Sequence, residues 1–528
     1  MRYLFSIVVF CLLPAAVFSD TIYVPDDQST IQGAIDAAVS GVDVVIVRSG
    51  TYVENINFNG KAITLQSESG PETTIIDGGG VLQVVQFNSG EGLDSIIDGF
   101  TITNGFAKSN VWIDTSGAGI WCVGSSPTIR NNIITGNLSQ YFGGGIACTS
   151  NYASPLITNN DIIDNDAHTG AGIVVRDYSF PEISFNNISY NTARGTGGGV
   201  CNYGYGSLTN NIIANNTAAG SGGIQFSSST CNCFNNLVIY NTATNAGHVG
   251  GISCSCPYNS YANYRISNCI VARNTGKGIS ISWGHNGNGS LITNCTVVHN
   301  TTWGITSSPH TEVWNSIVWW NTDGQVPTDA QIKFYYGNLE GGWPWAHHPG
   351  NIDVDPAFVD AANDDFQITS SSPCIDVGDN GSPFILTTDY DGDPRIWDGD
   401  NNGTPTVDMG ADEFHSPDLV ELVSFDAAGR WGVVSVQWET ASEIDTAGFH
   451  IWRSWKRSPA EIDFVRITRH LIPAEGGPSQ GATYLHEDSY VFSGHPYCYR
   501  LEDVNLQGEG TFHEPAVVRW RKPRLDRH

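Results

Sequence analysis

A small group of side chains suited to acid–base chemistry recurs near one position of a sequence repeat. Asp166, His168 and Arg194 fall in two successive repeats, and Gln140 takes the corresponding position in the repeat before them. A histidine can act as a general base, an arginine can bind an anion, and a carboxylate can orient the histidine. Solvated turns also carry these residue types. Asp166, His168 and Arg194 are therefore candidate catalytic residues, with exposed turn residues as the alternative.

A second group of side chains could bind a cation. Five aspartates fall within twelve residues: Asp389, Asp391, Asp393, Asp398 and Asp400. Carboxylates this close repel one another in a folded loop, and Ca²⁺, which prefers oxygen ligands, relieves that repulsion. The spacing and the terminal glutamate of an EF-hand are absent. The sequence predicts either a calcium site or a solvated loop of tight turns at 391–394.

The first group is positioned by sequence repeats that are rich in asparagine. The stretch NNIITGN at 131–137 has seven further copies, each 21 to 33 residues after the one before, the range of one solenoid coil. The last asparagines of these copies are Asn137, Asn165, Asn191, Asn216, Asn241, Asn274, Asn300 and Asn321. An apolar residue stands three and another eight positions before each, and a third follows a run of small residues. Three inward columns predict three short strands per coil, which is a parallel β-helix.

Stacked coils explain why the repeated residue is asparagine. Equivalent residues on adjacent coils lie about 4.8 Å apart. Asparagine amides at that spacing can hydrogen-bond from coil to coil, and asparagine tolerates the left-handed backbone of a sharp corner. We therefore interpret these asparagines as structural: those six residues apart mark two corners, each with an internal ladder.

A short helix should precede the coils. Ser29 and Gln32 form a capping-box pattern, and Ile31, Ile35 and Val39 share one helical face. We expect this helix to cap the open end of the solenoid core.

Residues 22–325 resemble the right-handed parallel β-helix proteins of the pectin-lyase-like superfamily. The segment TIQGAIDAAVSGVDVVIVRSGTY is also similar to the opening of pectin methylesterases. The resemblance implies an extracellular polysaccharide as ligand and, for an enzyme, lyase or glycoside hydrolase chemistry. The Asp-Phe-Ile-Phe-Gly motif of the methylesterases and the Gly-x-Asp-Asp and Gly-His-Gly motifs of polygalacturonases do not occur here. No catalytic residue is carried over by motif.

The rest of the chain resembles two other modules. Residues 336–415 hold 16 acidic residues and one arginine, and DPAFVD, SPCIDVGD, DGDPR and VDMGADEF occur there in the order of a choice-of-anchor Q module, which commonly follows such solenoids in exported bacterial proteins. Residues 416–528 alternate like a fibronectin type III sandwich with a basic tail, with Trp438, Tyr497 and Tyr499 as core candidates. The predicted fold is all-β: a capped β-helix over 20–335, then the acidic module and the sandwich.

Residues 1–19 predict export. Arg2, the apolar run from Leu4 to Phe18 and Ser19 at the cleavage site are typical of a secretory signal peptide. No other apolar run is long enough to span a bilayer. A net charge of −29 excludes nucleic-acid binding by phosphate neutralisation and disfavours a polyanionic sugar unless a cation intervenes. We expect a secreted or cell-surface protein.

Eleven cysteines follow the signal peptide. Cys122 and Cys148 occupy equivalent positions on adjacent coils, as do Cys269 and Cys295. Both disulfides and buried free thiols fit an exported solenoid. Zinc is not expected, because the cysteine pairs lack histidines at ligand spacing.

Seven of 15 tryptophans fall between 283 and 345. Trp283, Trp303 and Trp320 are candidates for stacking on sugar rings, with closure of the C-terminal end of the core as the alternative. Two functions follow from the sequence. The chain binds an extracellular polysaccharide, with or without cleaving it, or it is a non-catalytic surface or adhesion protein in which the solenoid is a rigid spacer.

Overall fold

The structure is a computed structural model that describes most of the chain in two compact units, residues 1–414 and 415–528. The described residues are 20–108, 116–150, 152–227, 230–255, 263–282, 289–307, 311–327, 332–342, 349–400, 402–415, 420–430, 433–443, 446–456, 464–477, 480–491, 496–505 and 510–520. The predicted signal peptide lies outside them. Across these ranges no helix has the length and apolarity needed to cross a membrane.

The first unit is a solenoid whose coils add one short strand each to long parallel sheets. The strands of sheet I are Thr21–Val24, Val44–Val47, Thr64–Ser67, Ile96–Asp98, Thr128–Arg130, Leu156–Thr158, Glu182–Ser184, Ser207–Thr209, Thr230–Phe234, Asn263–Ser267, Leu291–Thr293, Glu312–Trp314 and Lys333–Tyr335. The strands of sheet II are Gly50–Val53, Thr74–Asp77, Thr101–Thr103, Ile133–Thr135, Asp161–Ile163, Asn187–Ser189, Ile212–Ala214, Leu237–Ile239, Ile270–Ala272, Thr296–Val298, Ile317–Trp319 and Asn338–Leu339.

Two further sheets complete the coils. The strands of sheet III are Ile56–Asn57, Val85–Phe87, Ile120–Val123, Ile146–Thr149, Ile173–Val175, Val200–Asn202, Ile224–Phe226, Val249–Ser255, Lys277–Ser282 and Ile305–Ser307. A short sheet IV lies between sheets II and III in the chain order of six coils. Its strands are Phe106–Ala107, Leu138–Ser139, Asp166–Thr169, Thr192–Thr196, Thr217–Ala218 and Thr242–Ala243.

One continuous core runs through the coils. In a representative coil, Ile129 of sheet I, Ile134 of sheet II and Ile146 of sheet III are fully buried. Their register partners in the next coil are also β-branched, as in the pair Ile134 and Ile162, and such side chains suit a buried pleated surface. The three predicted inward columns and the β-helix are confirmed.

Sheet IV was not predicted. Its inward residues are small: Ser139 is buried in one strand, and the buried Ala167, Ala193 and Ala218 form a cluster with Ala171. Alanine is found in strands and helices alike and is common in loops, so these positions give no apolar column that would stand out in the sequence.

The N-terminal helix spans Ile31–Ala37, and its buried residues Ile31 and Ile35 belong to the solenoid core. The predicted cap is wrong by one residue: Thr30 is the N-cap, and its hydroxyl accepts from the N–H of Gly33 at 3.0 Å. The Glu54 carboxylate accepts from two further N–H groups of the first turn. Val39, predicted on the buried face, is 51% exposed because it follows the end of the helix.

The corner after sheet II contains an asparagine ladder. The Asn165 side-chain oxygen accepts from the backbone N–H of Asn137 at 3.1 Å and from its amide at 3.0 Å. The Asn137 amide also donates to the Ile102 carbonyl at 3.0 Å. The pattern repeats down to Asn321, whose amide donates to Gln325 at 2.7 Å. Every asparagine of this series is at most 4% exposed.

The corner after sheet I differs from the expectation by one residue. Asn131 adopts the left-handed backbone, with φ of 56°, and is exposed. The internal ladder is formed by the residues that follow such corner residues: Asn132, Asn160, Asn186, Asn211 and Asn236. Cys269 and Cys295 continue this column.

Nine cysteines among the described residues are buried free thiols. Cys122 and Cys148 are register partners on adjacent strands of sheet III. The sulfur atoms of Cys233 and Cys269 lie 3.9 Å apart in the core. Of the two alternatives left open by the sequence, the structure has the free thiols.

The sequence assigns residues 336–415 to the acidic module, but the strand Asn338–Leu339 belongs to sheet II, so the solenoid extends past the predicted boundary at 335. Residues 349–414 belong to the same unit as the solenoid. They include the strands Phe358–Asp360 and Asp365–Ile368 and a 3₁₀ turn at Ala361–Asn363. Apolar residues of the module, with Phe366 and Met409 among them, pack on the outer face of sheet II. The corner amides of Asn268, Asn294 and Asn315 donate to the module.

The second unit is a sandwich of two sheets. One contains Val420–Arg430, Val433–Glu443, Thr483–Asp488 and Arg519–Trp520, and the other contains Thr446–Ser454, Val465–Arg466, Ile472–Pro473, Cys498–Asn505, Gly510–Phe512 and Ala516–Val517. Trp438 and Tyr499 are fully buried in its core and Tyr497 is 6% exposed. These core predictions are confirmed, and the strand order is fibronectin type III-like.

Candidate functional site

The structure brings the predicted catalytic residues to one face of sheet IV. Asp166 and His168 alternate on one strand and therefore point the same way. Arg194 of the next strand forms an ion pair with Asp166 at 2.9 Å, and both side chains are about half exposed. The His168 ring is exposed and lies against Gly195. Burial raises the pKa of Asp166, and Arg194 opposes that shift.

The side chain of Arg194 connects three successive coils. Besides the Asp166 carboxylate, its guanidinium donates to the carbonyl oxygens of Ser139 at 3.0 Å and Gln140 at 3.2 Å. Ser139 and Asp166 belong to the two strands of sheet IV that precede its own, and Gln140 follows the first of them. Three of the five N–H donors that a guanidinium could offer to an anionic substrate are thus used within the protein. Among the described contacts, none joins His168 to the Asp166 carboxylate.

The predicted tryptophan sites are only partly visible, and those described are packed into the protein. Trp283 lies outside the described residues. Trp303 is half-buried and lies against Gly324. Trp320 stacks on His299 with ring centroids 4.8 Å apart, beside Phe358 of the acidic module. Trp320 packs against the cluster between sheet II and the acidic module and is not part of the core inside the coils.

The structure does not bring the five predicted metal-binding aspartates together: Asp391 and Asp393 are exposed on the loop around Asp389, while Asp398 and Asp400 form a separate group. Asp389 is buried at the centre of its own loop: one oxygen accepts from the N–H groups of 391, 392 and 393, and the other accepts from the N–H of Glu413. It is therefore not free to ligate a cation. Asp398 and Asp400 instead approach Asp376, with one oxygen of each within 4.8 Å of the others. The calcium site stays a prediction. Among the described residues, Asp376, Asp398 and Asp400 are the carboxylates close enough to share one ion.

A buried acidic network lies beside this loop. The Arg395 guanidinium is buried, donates to backbone carbonyls such as that of Ala411 at 3.0 Å, and lies 3.8 Å from Glu413. Asp412 is 8% exposed and accepts from the N–H of Ile368 at 2.8 Å. Burial raises the pKa of Asp412 to about 8 and that of Glu413 to about 9.

A cluster of exposed aromatic side chains lies where sheet III leads back to sheet I. Four side chains from three successive coils form it, and together they are called the aromatic cluster: Tyr152, Tyr178, Phe180 and Tyr205. Phe180 and Tyr205 stack with centroids 4.7 Å apart, and Tyr152 lies 6.1 Å from Phe180. Tyr178 lies 6.4 Å from Tyr152 and 6.1 Å from Tyr205.

Backbone geometry presents these rings. Tyr152 and Tyr178 hold left-handed backbone, with φ of 62° and 61°, at the turns that follow sheet III. The loops are hydrogen-bonded to one another, since the N–H of Phe180 donates to Ala153 at 2.7 Å and that of Tyr205 donates to Ser179 at 2.8 Å. The cluster is therefore part of a fixed corner of the solenoid.

The cluster has open aromatic area. Tyr152 is 71% exposed and Tyr178 is 63% exposed. The coil before them presents Gly124, Ser125 and Ser126 at the same corner, and the Ser126 hydroxyl accepts from the N–H of Ser154 at 2.9 Å. The residues of the preceding coil at this corner are therefore small. Sequence reasoning missed the cluster, although each of the three loops carries at least one tyrosine.

Fold and site together define the class of this protein: an elongated right-handed parallel β-helix with an exposed aromatic corner, followed by a fibronectin type III-like sandwich. The family described as "Right handed beta helix region" matches residues 29–233. That match supports a polysaccharide-related or surface protein in general terms.

One solved structure is similar to part of the chain. It is "The crystal structure of a Fn3-like protein from Clostridium thermocellum", at 18% identity and a TM-score of 0.15, covering 21% of this chain and 99% of that chain. No curated protein matches the chain.

Proposed function

We propose that the protein is exported and binds polysaccharide through the aromatic cluster without cleaving it. The observation that carries this proposal is the exposure of Tyr152 and Tyr178, 71% and 63%, within a cluster built from three coils. A tyrosine ring offers an apolar face to the C–H groups of a sugar, and its hydroxyl can hydrogen-bond to sugar hydroxyls. The predicted signal peptide supports a place outside the cell.

Binding without cleavage is supported by the state of the predicted catalytic residues. Arg194 is held by Asp166 and by two backbone carbonyls. A polysaccharide lyase or glycoside hydrolase needs an acid and a base that reach the scissile bond. Asp166 is occupied as the partner of a surface ion pair, which is a structural use of a carboxylate.

A second candidate is the surface protein in which the solenoid acts as a spacer. The ladder from Asn137 to Asn321 favours it, because an unbroken chain of buried amides stiffens the solenoid along its axis. The two candidates differ in one observable property, since a pure spacer has no affinity for polysaccharide at the aromatic cluster.

Affinity electrophoresis of the full chain in gels that contain plant, algal or bacterial polysaccharides tests the proposal. We expect retardation by at least one polysaccharide, with no new reducing or unsaturated ends after long incubation. Tyr178→Ala should weaken that retardation about threefold to tenfold. Tyr190→Ala is the matched control, because Tyr190 is 58% exposed and has a φ of 58° but lies at the corner after sheet II.

The outcomes separate the alternatives. Retardation that is equally strong in wild type and in Tyr178→Ala would place the binding site elsewhere. No retardation by any polysaccharide would favour the spacer. New chain ends produced by wild type and lost in Asp166→Asn would show that the protein cleaves its ligand.

A further inference from the structure

We infer that the aromatic cluster selects neutral polysaccharides and rejects polyanionic ones. This inference rests on the proposed function and names the ligand class of the same site. It agrees with the net charge of −29, which disfavours a polyanionic sugar, and it follows from the charges around the cluster.

Charged residues are scarce at this corner. The loops and following strands that carry the cluster, residues 152–158, 176–184 and 203–209, hold three charged side chains, Arg176, Asp177 and Glu182. The corresponding described residues of the flanking coils, 123–128, 227 and 230–232, hold none. Asp177 and Glu182 are exposed. The corner therefore has a small negative charge within a chain whose net charge is −29.

The single cation of the corner is engaged elsewhere. The Arg176 guanidinium lies over the Phe142 ring, 4.0 Å from its centroid, a cation–π contact with the loop that covers sheet III. Arg176 is also half-buried. A carboxylate or sulfate on each sugar would reach the tyrosines without a basic partner and beside the exposed carboxylate of Asp177. Like charges placed together oppose association, whereas neutral sugars meet no such penalty.

The tyrosines supply what a neutral sugar requires. Tyr152, Tyr178 and Tyr205 provide aromatic area for C–H groups and hydroxyls for hydrogen bonds, and neither interaction needs a charge. Tyr152 is 71% exposed, and the residues of the preceding coil at this corner, 124–126, are small. The geometry thus favours contact with the apolar face of an uncharged sugar.

Two pairs of probes with a shared backbone test this inference: hydroxyethyl cellulose against carboxymethyl cellulose, and hydroxypropyl guar against carboxymethyl guar. Each pair compares substituents of similar size that differ in charge. Affinity electrophoresis of the full chain at low ionic strength should show retardation by the neutral member of at least one pair. We expect the anionic member of that pair to bind about tenfold more weakly or not at all.

A charge reversal locates the effect. Asp177→Lys should increase binding of the carboxymethyl derivative at least threefold and lose that gain in 0.5 M salt, because the new attraction is electrostatic. Asp164→Lys makes the same change in net charge at the corner after sheet II. The two aspartates are matched, since both are exposed and both have a φ of 53°. Asp164→Lys should leave binding unchanged.

The results distinguish this inference from the proposed function. Equal or tighter binding of the anionic member by wild type overturns the inference while leaving polysaccharide binding intact. Binding of the neutral member that Tyr178→Ala does not weaken overturns the proposed site and the inference with it. Retention of neither member of either pair also overturns the inference, and the wider polysaccharide panel then decides the proposed function.

Discussion

The asparagine ladder gives the sharpest test of the architecture, at Asn216. Its side chain takes part in four hydrogen bonds and is fully buried. The amide donates to the carbonyl of Ile188 at 2.8 Å and to the Asn241 side chain at 3.0 Å. The oxygen accepts from the backbone N–H and the amide of Asn191, both at 3.0 Å. Asn216→Leu removes all four bonds and keeps a similar volume.

The expected loss of stability follows from the groups left behind. The Asn191 amide keeps a second acceptor, the carbonyl of Ile162 at 2.8 Å. The Asn191 backbone N–H loses its described acceptor, and the Ile188 carbonyl loses a donor. A buried polar group that loses its partner costs about 1–3 kcal/mol. We therefore expect Asn216→Leu to lower the free energy of unfolding by about 1–3 kcal/mol.

Urea unfolding of the full chain followed by circular dichroism measures this loss, and hydrogen exchange of peptides that cover 187–199 locates it. Asn187→Leu is the control, because Asn187 is an asparagine of sheet II whose amide donates to Asp161 at the exposed surface. The control should change stability by no more than about 0.5 kcal/mol. An Asn216→Leu variant with an unchanged midpoint and unchanged exchange would refute the argument that the ladder stabilises the coils.

Three further perturbations test other parts of the molecule. Ile213→Asp places an unpaired charge at a fully buried position, so we expect no soluble, cooperatively unfolding protein, and a folded variant would contradict the inward assignment. Burial raises the pKa of Asp412 from 3.8 to about 8 in the folded state. Between these two pH values the folded state holds a proton that the unfolded state has lost, so the free energy of unfolding falls as pH rises from 3.8 to about 8. The unfolding midpoint of Asp412→Asn should consequently depend less on pH between 6 and 9 than that of wild type, and equal slopes would refute this assignment. Calcium bound at Asp398 and Asp400 would raise the unfolding temperature of wild type but not of Asp398→Asn, and curves that superimpose with calcium and with chelator would remove the cation from this loop.

The repeating part of the structure could be predicted because its physical causes repeat in the sequence. Ile134 and its counterparts are buried in every coil, and Asn137 and its counterparts make the same bonds to neighbours at a fixed offset. Each column is therefore visible without knowledge of the fold. The first corner was placed one residue early, because Asn131 and Asn132 are the same residue type and only the backbone decides which of them points inward.

The non-repeating contacts could not be predicted in this way. The amide of Asn294 donates to the carbonyl of Asp408, 114 residues away, and no periodicity connects such positions. The aromatic cluster was not predicted from the sequence for a related reason. Tyr152, Tyr178 and Tyr205 follow their coil asparagines at different distances because the intervening loops differ in length, so their alignment exists only in three dimensions.

The ladder also fixes the axial repeat length of the solenoid, because each coil contributes one asparagine to it. Asn191, Asn216 and Asn241 are separated by 25 residues each, and threonine follows every one of them. Loss or duplication of residues 217–241 would rejoin asparagine to threonine and restore every column. Such an event would move the docked acidic module toward or away from the aromatic cluster by one strand spacing, about 4.8 Å. Insertions or deletions that keep the ladder in register would therefore change the distance between these two surfaces by whole coils.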